Sequence, residues 1–159
     1  LWVVPQVEGA KPRAYAAGSF NQTHGAFSHD GRWVAYASDE SGQFDIYVDA
    51  FPNPGSRIRV TTAGGTEPRW KNDGRELYFR RGSAVHIVRF AEAGPTLTIR
   101  SIDRLFDAGA PIRAFDATPD GSRFLLNLPA SGATPRSATM VINWRTPISH
   151  GSTEARKHN

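Results

Sequence analysis

The sequence predicts an all-β protein, a partial β-propeller of about three four-stranded antiparallel blades. Three observations lead there. First, an Asp-Gly turn between two short apolar strands occurs three times, in Phe27-Ser-His-Asp30-Gly31-Arg-Trp-Val34-Ala-Tyr36, Trp70-Lys-Asn-Asp73-Gly74-Arg-Glu-Leu77-Tyr-Phe79 and Ala117-Thr-Pro-Asp120-Gly121-Ser-Arg-Phe124-Leu-Leu126. Second, the turns recur after 43 and 47 residues, a period that marks propeller blades. Third, in each copy the fourth and sixth residues after Asp are apolar (Val34/Tyr36, Leu77/Phe79, Phe124/Leu126), as in a strand that buries one face.

The elements follow in order. Residues 1–18 read as half a blade: Leu1 to Pro5 and Arg13 to Gly18 line up with Ile46 to Ala50 and Arg57 to Thr61. Residues 19–62 form the first full blade, with strands at His24 to Ser28, Trp33 to Ser38, Phe44 to Phe51 and Arg57 to Thr61. Residues 63–108 form the second, with strands at Glu67 to Lys71, Glu76 to Arg81, Ala84 to Phe90 and Leu97 to Ile102. Residues 109–145 are an incomplete final blade with strands at Ala114 to Ala117, Arg123 to Leu128 and Ala138 to Trp144, and 146–159 are a polar tail without a period. The aromatics Trp33, Tyr36, Trp70, Phe79 and Phe124 fall at repeated strand positions and are expected between blades.

With 159 residues and 39% hydrophobic content the chain could bury one ordinary core, but a blade cannot cover its own faces. Three blades make about half of a ring of six or seven, so the open ends need a cover: a second copy in a homodimer, or a missing N-terminal half of the propeller. The chain has no Cys, which excludes disulfides and a cysteine nucleophile and leaves the compartment open. No run of about 18 apolar residues exists, so no membrane insertion by this segment is expected. Leu1 is neither a Met nor the start of a signal pattern, and the chain reads as a piece of a longer gene product. The excess of 19 Lys and Arg over 15 Asp and Glu is Arg scattered through strands and turns, without the basic stripe and stacking aromatics of a nucleic-acid surface.

Candidate chemistry is sparse. The Asp of each Asp-Gly pair accepts hydrogen bonds within its own turn and Gly supplies the positive φ, a structural role. The carboxylate-rich stretch Asp39 to Asp45 lacks the spacing of a calcium loop and reads as a solvated turn. His24, His29, His86, His150 and His158 lack zinc-ligand spacing, and no Gly-x-Ser-x-Gly is present. A non-enzymatic chain without cofactors is expected. The positions with most functional interest lie on inner strands, six and four residues before each turn Asp: His24/Ala26, Glu67/Arg69 and Ala114/Asp116. Inner strands surround a propeller's channel, so His24, Glu67, Arg69 and Asp116 are the candidate ligand-binding residues; the favoured reading, however, is that Glu67, Arg69 and Asp116 pair with neighbouring blades or hold channel water, because buried polar groups commonly satisfy one another.

Phe27-Ser-His-Asp-Gly31, Ile46-Tyr47-Val48 and Thr118-Pro-Asp-Gly121 resemble the TolB-type propeller repeat. Ser38-Asp-Glu-Ser-Gly42, Phe51-Pro-Asn-Pro-Gly55, Gly64-Gly-Thr-Glu-Pro-Arg-Trp70 and Met140-Val-Ile-Asn-Trp144 are more similar to the C-terminal half of propellers attached to bacterial eukaryotic-like serine/threonine kinases. The chain departs from that pattern at His29, at Lys71-Asn72 and in the tail, and it contains no kinase signature. The resemblance implies a scaffold or sensor module for a protein or peptide partner, in an extracytoplasmic (periplasmic) setting. The accessory propeller of a serine peptidase or other hydrolase is the alternative.

Overall fold

The computed structural model describes residues 1–93, 96–130 and 141–142. β1 (Trp2–Val3) and β2 (Arg13–Ala14) pair as a two-stranded sheet. β3 (Gln22–Phe27), β4 (Trp33–Ser38), β5 (Asp45–Ala50) and β6 (Ile58–Arg59) form a four-stranded sheet in sequence order. So do β7 (Thr66–Trp70), β8 (Glu76–Arg81), β9 (Ala84–Ala93) and β10 (Thr96–Asp107). β11 (Ala114–Ala117), β12 (Arg123–Asn127) and β13 (Val141–Ile142) form a three-stranded sheet. Every pairing is antiparallel between consecutive strands, and the first strands of successive sheets, β3, β7 and β11, lie side by side. The all-β class and its four-stranded antiparallel blades are as the sequence predicts.

The three Asp-Gly turns are built alike. Gly31, Gly74 and Gly121 have φ of 68°, 64° and 70°, and their amides donate to the carbonyls of Ser28, Lys71 and Thr118 at 2.9, 3.0 and 2.7 Å. Asp30, Asp73 and Asp120 each accept from the backbone amide two residues on, at 3.1, 2.9 and 3.0 Å. Burial acts to raise the Asp30 pKa, but hydrogen bonds from Ser28 and from Arg32 outweigh it and hold the carboxyl at about 2. The Thr118 hydroxyl and the Ser122 amide and hydroxyl hold Asp120 at about 2 as well.

The glycines of these turns differ in what lies above them. A Cβ at Gly31 would meet nothing within 4 Å, whereas one at Gly121 would collide with the Tyr78 hydroxyl of the preceding blade. Tyr78 is buried and its ring abuts Phe124 edge-on at 5.1 Å, so it cannot swing away. Gly31→Ala should cost about 1 kcal/mol, the strain of a left-handed residue with a side chain. Gly121→Ala adds an overpacking cost, for a total of about 3 kcal/mol in urea unfolding. Equal costs at the two sites would show that blade-to-blade contact at Gly121 is not as described.

Three apolar clusters fill the spaces between sheets. Trp33, Ala35, Ala37, Ile46 and Val48 of the first full blade pack on Leu77, Phe79, Val88 and Phe90 of the second. Tyr78, Val85 and Ile87 meet Phe115 and Phe124 of the third, and Val34, Tyr36 and Tyr47 meet Tyr15, Leu1 and Val3 of the two-stranded sheet. All five expected aromatics lie between blades. Trp70, half-buried, packs 5.6 Å from Phe90 and its indole donates to the Ala26 carbonyl of the neighbouring blade at 3.2 Å.

One expectation is corrected. The apolar alternation predicts a second strand that buries a single face, yet every residue of β4 is buried. A strand sandwiched between two sheets is covered on both sides, and its alternation then distinguishes which neighbour each residue meets rather than core from solvent. Two edges also move. β10 runs on to Asp107, past the expected Ile102, because β9 continues to offer partners and two register shifts absorb the mismatch in length. β6 shrinks to Ile58–Arg59, and the amides of Val60 and Thr61 both turn to the Ile46 carbonyl at 2.7 and 3.4 Å. Most of the expected 138–144 strand and all of the 146–159 tail lie outside the described residues.

Candidate functional site

β3 and β7 each carry a bulge, where the register shifts between Thr23 and Ala26 and between Thr66 and Arg69. At the same place in each bulge stands the same backbone anomaly. His24 has φ of 56° and Glu67 has φ of 54°, the two non-glycine residues with positive φ among those described. A left-handed residue with a side chain costs roughly 1–2 kcal/mol, and bulges re-aim side chains. Two adjacent inner strands therefore hold a strained residue at equivalent points, aimed at one another. His24 Nε2 lies 3.7 Å from Glu67 Oε1, with the imidazole half-exposed and the carboxylate buried.

Glu67 is held from the far side too. Its Oε2 accepts the Phe115 amide of β11 at 3.2 Å and lies 3.2 Å from Arg80 Nε, while Arg80 Nη1 donates to the Ile112 carbonyl at 3.0 Å. One carboxylate thus joins three successive blades. Next to it, Arg69 Nε is 3.5 Å from Asp116 Oδ1, and the Arg69 guanidinium sits 6.0 Å from the Phe115 ring centre. Asp116 is 71% exposed, so this second pair is loose and open to exchange.

All four sequence candidates accordingly lie on three adjacent inner strands and form two neighbouring side-chain pairs, His24 with Glu67 and Arg69 with Asp116. The third-blade counterpart of His24 and Glu67, Ala114, pairs regularly with Asn127. Sequence reading missed Arg80. Its signal was a charge ending the apolar run Leu77-Tyr-Phe79, in register with Thr66 beside the bulge. Among the described residues no group of three or more His, Asp and Glu could hold a metal ion.

A second cluster lies at the outer side of the first full blade, where Glu40, Ser41, Tyr47, Arg57 and Arg59 line a shallow cavity of about 300 Å³. Its charges are matched internally. Arg57 bonds Glu40 at 2.9 Å and Arg59 bonds Asp45 at 2.7 Å. Asp45 corrects the reading of 39–45 as a solvated turn: it is fully buried. It accepts from the Ser41 and Thr61 hydroxyls at 2.7 Å each, from Arg59, and from the Gly64 amide at 2.9 Å. Desolvation acts to raise its pKa, but these four donors together lower it below the ordinary carboxylate value.

No family model and no curated protein matches the chain. Among solved structures it is similar to TolB from Acinetobacter baumannii, at 19% identity and a TM-score of 0.57 over 84% of this chain and 32% of that one. It is also similar to a candidate 6-phosphogluconolactonase from Bacteroides uniformis, at 20% identity and a TM-score of 0.54 over 79% of this chain and 39% of that one. A candidate TolB from Agrobacterium tumefaciens aligns at 21% identity and a TM-score of 0.46 over 61% and 37%. The fold is that of a β-propeller segment. The chain spans 32–39% of the length of these structures.

Proposed function

We propose that the chain is a non-catalytic propeller module that binds a protein or peptide segment at the inner-strand face formed by His24, Glu67, Arg69 and Asp116. The observation behind this reading is the repeated strain. Left-handed residues with side chains persist where the surroundings over-determine them, and they gather at binding sites. Glu67 is fixed by three blades and acts as the anchor. His24 and the half-buried Arg69 are the donors that a carboxylate-bearing segment could engage, with the Arg69–Asp116 pair opening to release the guanidinium. The kinase-linked propellers that the sequence resembles would give such a module a sensor role, with the peptide as its signal.

The experiment is a displayed library of random peptides selected against the 159-residue chain, with binders measured by titration calorimetry. Binders containing Asp, Glu or a free C-terminus are expected to lose at least tenfold in affinity on Arg69→Ala and on His24→Ala. Both variants alter side chains that are only partly buried and should leave the β circular-dichroism spectrum unchanged. Binders indifferent to both substitutions, or a library that yields none, would overturn the proposal.

A further inference from the structure

Among the described histidines, His24, His29 and His86, only His86 is buried. It sits on β9 opposite Phe79 of β8, whose ring stacks on the imidazole at 5.1 Å. Phe79 in turn lies against the backbone of Gly65, in the segment that leads from the first full blade into the second: a Cβ on Gly65 would come within 2.9 Å of the ring. Arg81, at the end of β8, spans the same segment. Its Nη1 donates to the Ala63 carbonyl at 3.5 Å, and its Nη2 lies 2.8 Å from His86 Nε2. A guanidinium has donors and no acceptor, so Nε2 must accept this bond. The ring is therefore neutral, with its one proton on Nδ1.

The other charges around the ring come from β10. Arg104 and Asp107 stand 3.8 Å apart there, and Asp107 also accepts the Gly109 amide at 2.9 Å. Arg89 of β9 itself is taken up by Glu76 and Asp103. From the first full blade, Ala63-Gly64-Gly65 brings no charged side chain, and Asp45, which accepts the Gly64 amide, is occupied by Arg59.

We propose that His86 and Arg81 form a proton-sensitive latch between the two complete blades: with His86 neutral the pair clasps the 63–65 segment, and protonation of His86 expels the guanidinium and loosens that segment. A protonated Nε2 would set one donor against another and one cation against another, with no acceptor between them. Burial foremost, then the Arg81 cation and, more weakly, Arg104 hold the imidazole below its ordinary value, against the opposing pull of the Ala84 carbonyl and of Asp107. The folded chain binds this proton less readily than the unfolded one. Its contribution to stability is therefore complete above the ordinary histidine value of about 6.5 and is lost as pH falls below it, a window above that of the carboxylates. The latch does not depend on the peptide site proposed above.

Urea unfolding of the 159-residue chain should show the folding constant falling about tenfold between about pH 7.5 and about pH 5.5, the effect of one proton taken up on unfolding. His86→Gln leaves an amide oxygen to accept from Arg81 and nothing to titrate, and should abolish most of that fall. Arg81→Met removes the opposing cation and should shrink it. Amide hydrogen exchange over residues 62–66, corrected for its intrinsic pH dependence, should be faster at the lower pH in wild type and unchanged in His86→Gln. Nitrogen NMR of the wild-type imidazole, which needs no variant to fold, should show a neutral ring protonated at Nδ1 at the higher pH. A ring already charged there or protonated at Nε2, the same fall in wild type and His86→Gln, or exchange at 62–66 that ignores pH would overturn the proposal.

Discussion

Phe79→Ala is expected to cost about 3–5 kcal/mol and to lower Tm by on the order of 10 °C. Phe79 is fully buried in the cluster shared by the two complete blades. Its ring stacks on His86 at 5.1 Å, and a Cβ placed on Gly65 would come within 2.9 Å of it, so the neighbouring chain is already drawn up to it. Backbone contacts of that kind cannot collapse into a hole, and the cavity term should therefore sit at the upper end of its range. Phe27→Ala removes the same ring from a site that is 53% exposed, and about 1 kcal/mol is expected there. Urea midpoints for the two variants check this. A similar loss at both positions would mean that the two sheets do not share a core.

Asp45→Ala is expected to cost about 3 kcal/mol, far more than a turn carboxylate ordinarily contributes. Removing the carboxylate strips an acceptor from two hydroxyls, an amide and the Arg59 guanidinium at once, and Thr61, which also accepts the Ile46 amide at 3.0 Å, loses its orientation. Asp45→Asn keeps one oxygen and should cost about 1–2 kcal/mol. The pH dependence has a definite sign. The folded-state pKa of Asp45 is lowered, so its contribution is complete above the unfolded value of about 3.9 and drains away as pH falls below that toward the folded value. Asp30 and Asp120, both held at about 2, act in the same window. Wild type should lose stability steeply below about pH 4, and Asp45→Ala should show a shallower slope there. Parallel acid-unfolding curves for the two proteins would contradict the buried role assigned to Asp45.

The contrast between Asp45 and the turn aspartates shows where reading the sequence stops. The roles of Asp30, Asp73 and Asp120 are legible in the sequence because an Asp-Gly pair acts on amides within three residues, and local geometry alone decides what it does. Asp45 sits in a stretch that looks soluble, and three of its four donors, Arg59, Thr61 and Gly64, come from 14 to 19 residues away across a strand and a loop. Nothing at Asp45 itself announces them. Similarly, the inner-strand positions of His24, Glu67, Arg69 and Asp116 can be counted from the turns and pairing across blades expected of three of them, but not which residue meets which. Whether Glu67 meets a neighbour depends on the angle between blades and on a bulge that takes two residues out of register.

What the sequence determined by itself was the periodic part: the blade repeat, the turns, the strands that follow them, and the aromatics destined for the spaces between blades. Each of these is set by interactions over a few residues, repeated often enough that the pattern stands out from chance. The tertiary structure alone decided which face of each strand meets which neighbour, that β4 is covered on both sides, that His24 and Glu67 adopt left-handed backbones, and that Asp45 is a buried hub rather than a wet loop. These outcomes depend on contacts between sheets, and a sheet's neighbours are fixed by how blades stack around an axis, a relation that no single stretch of residues encodes.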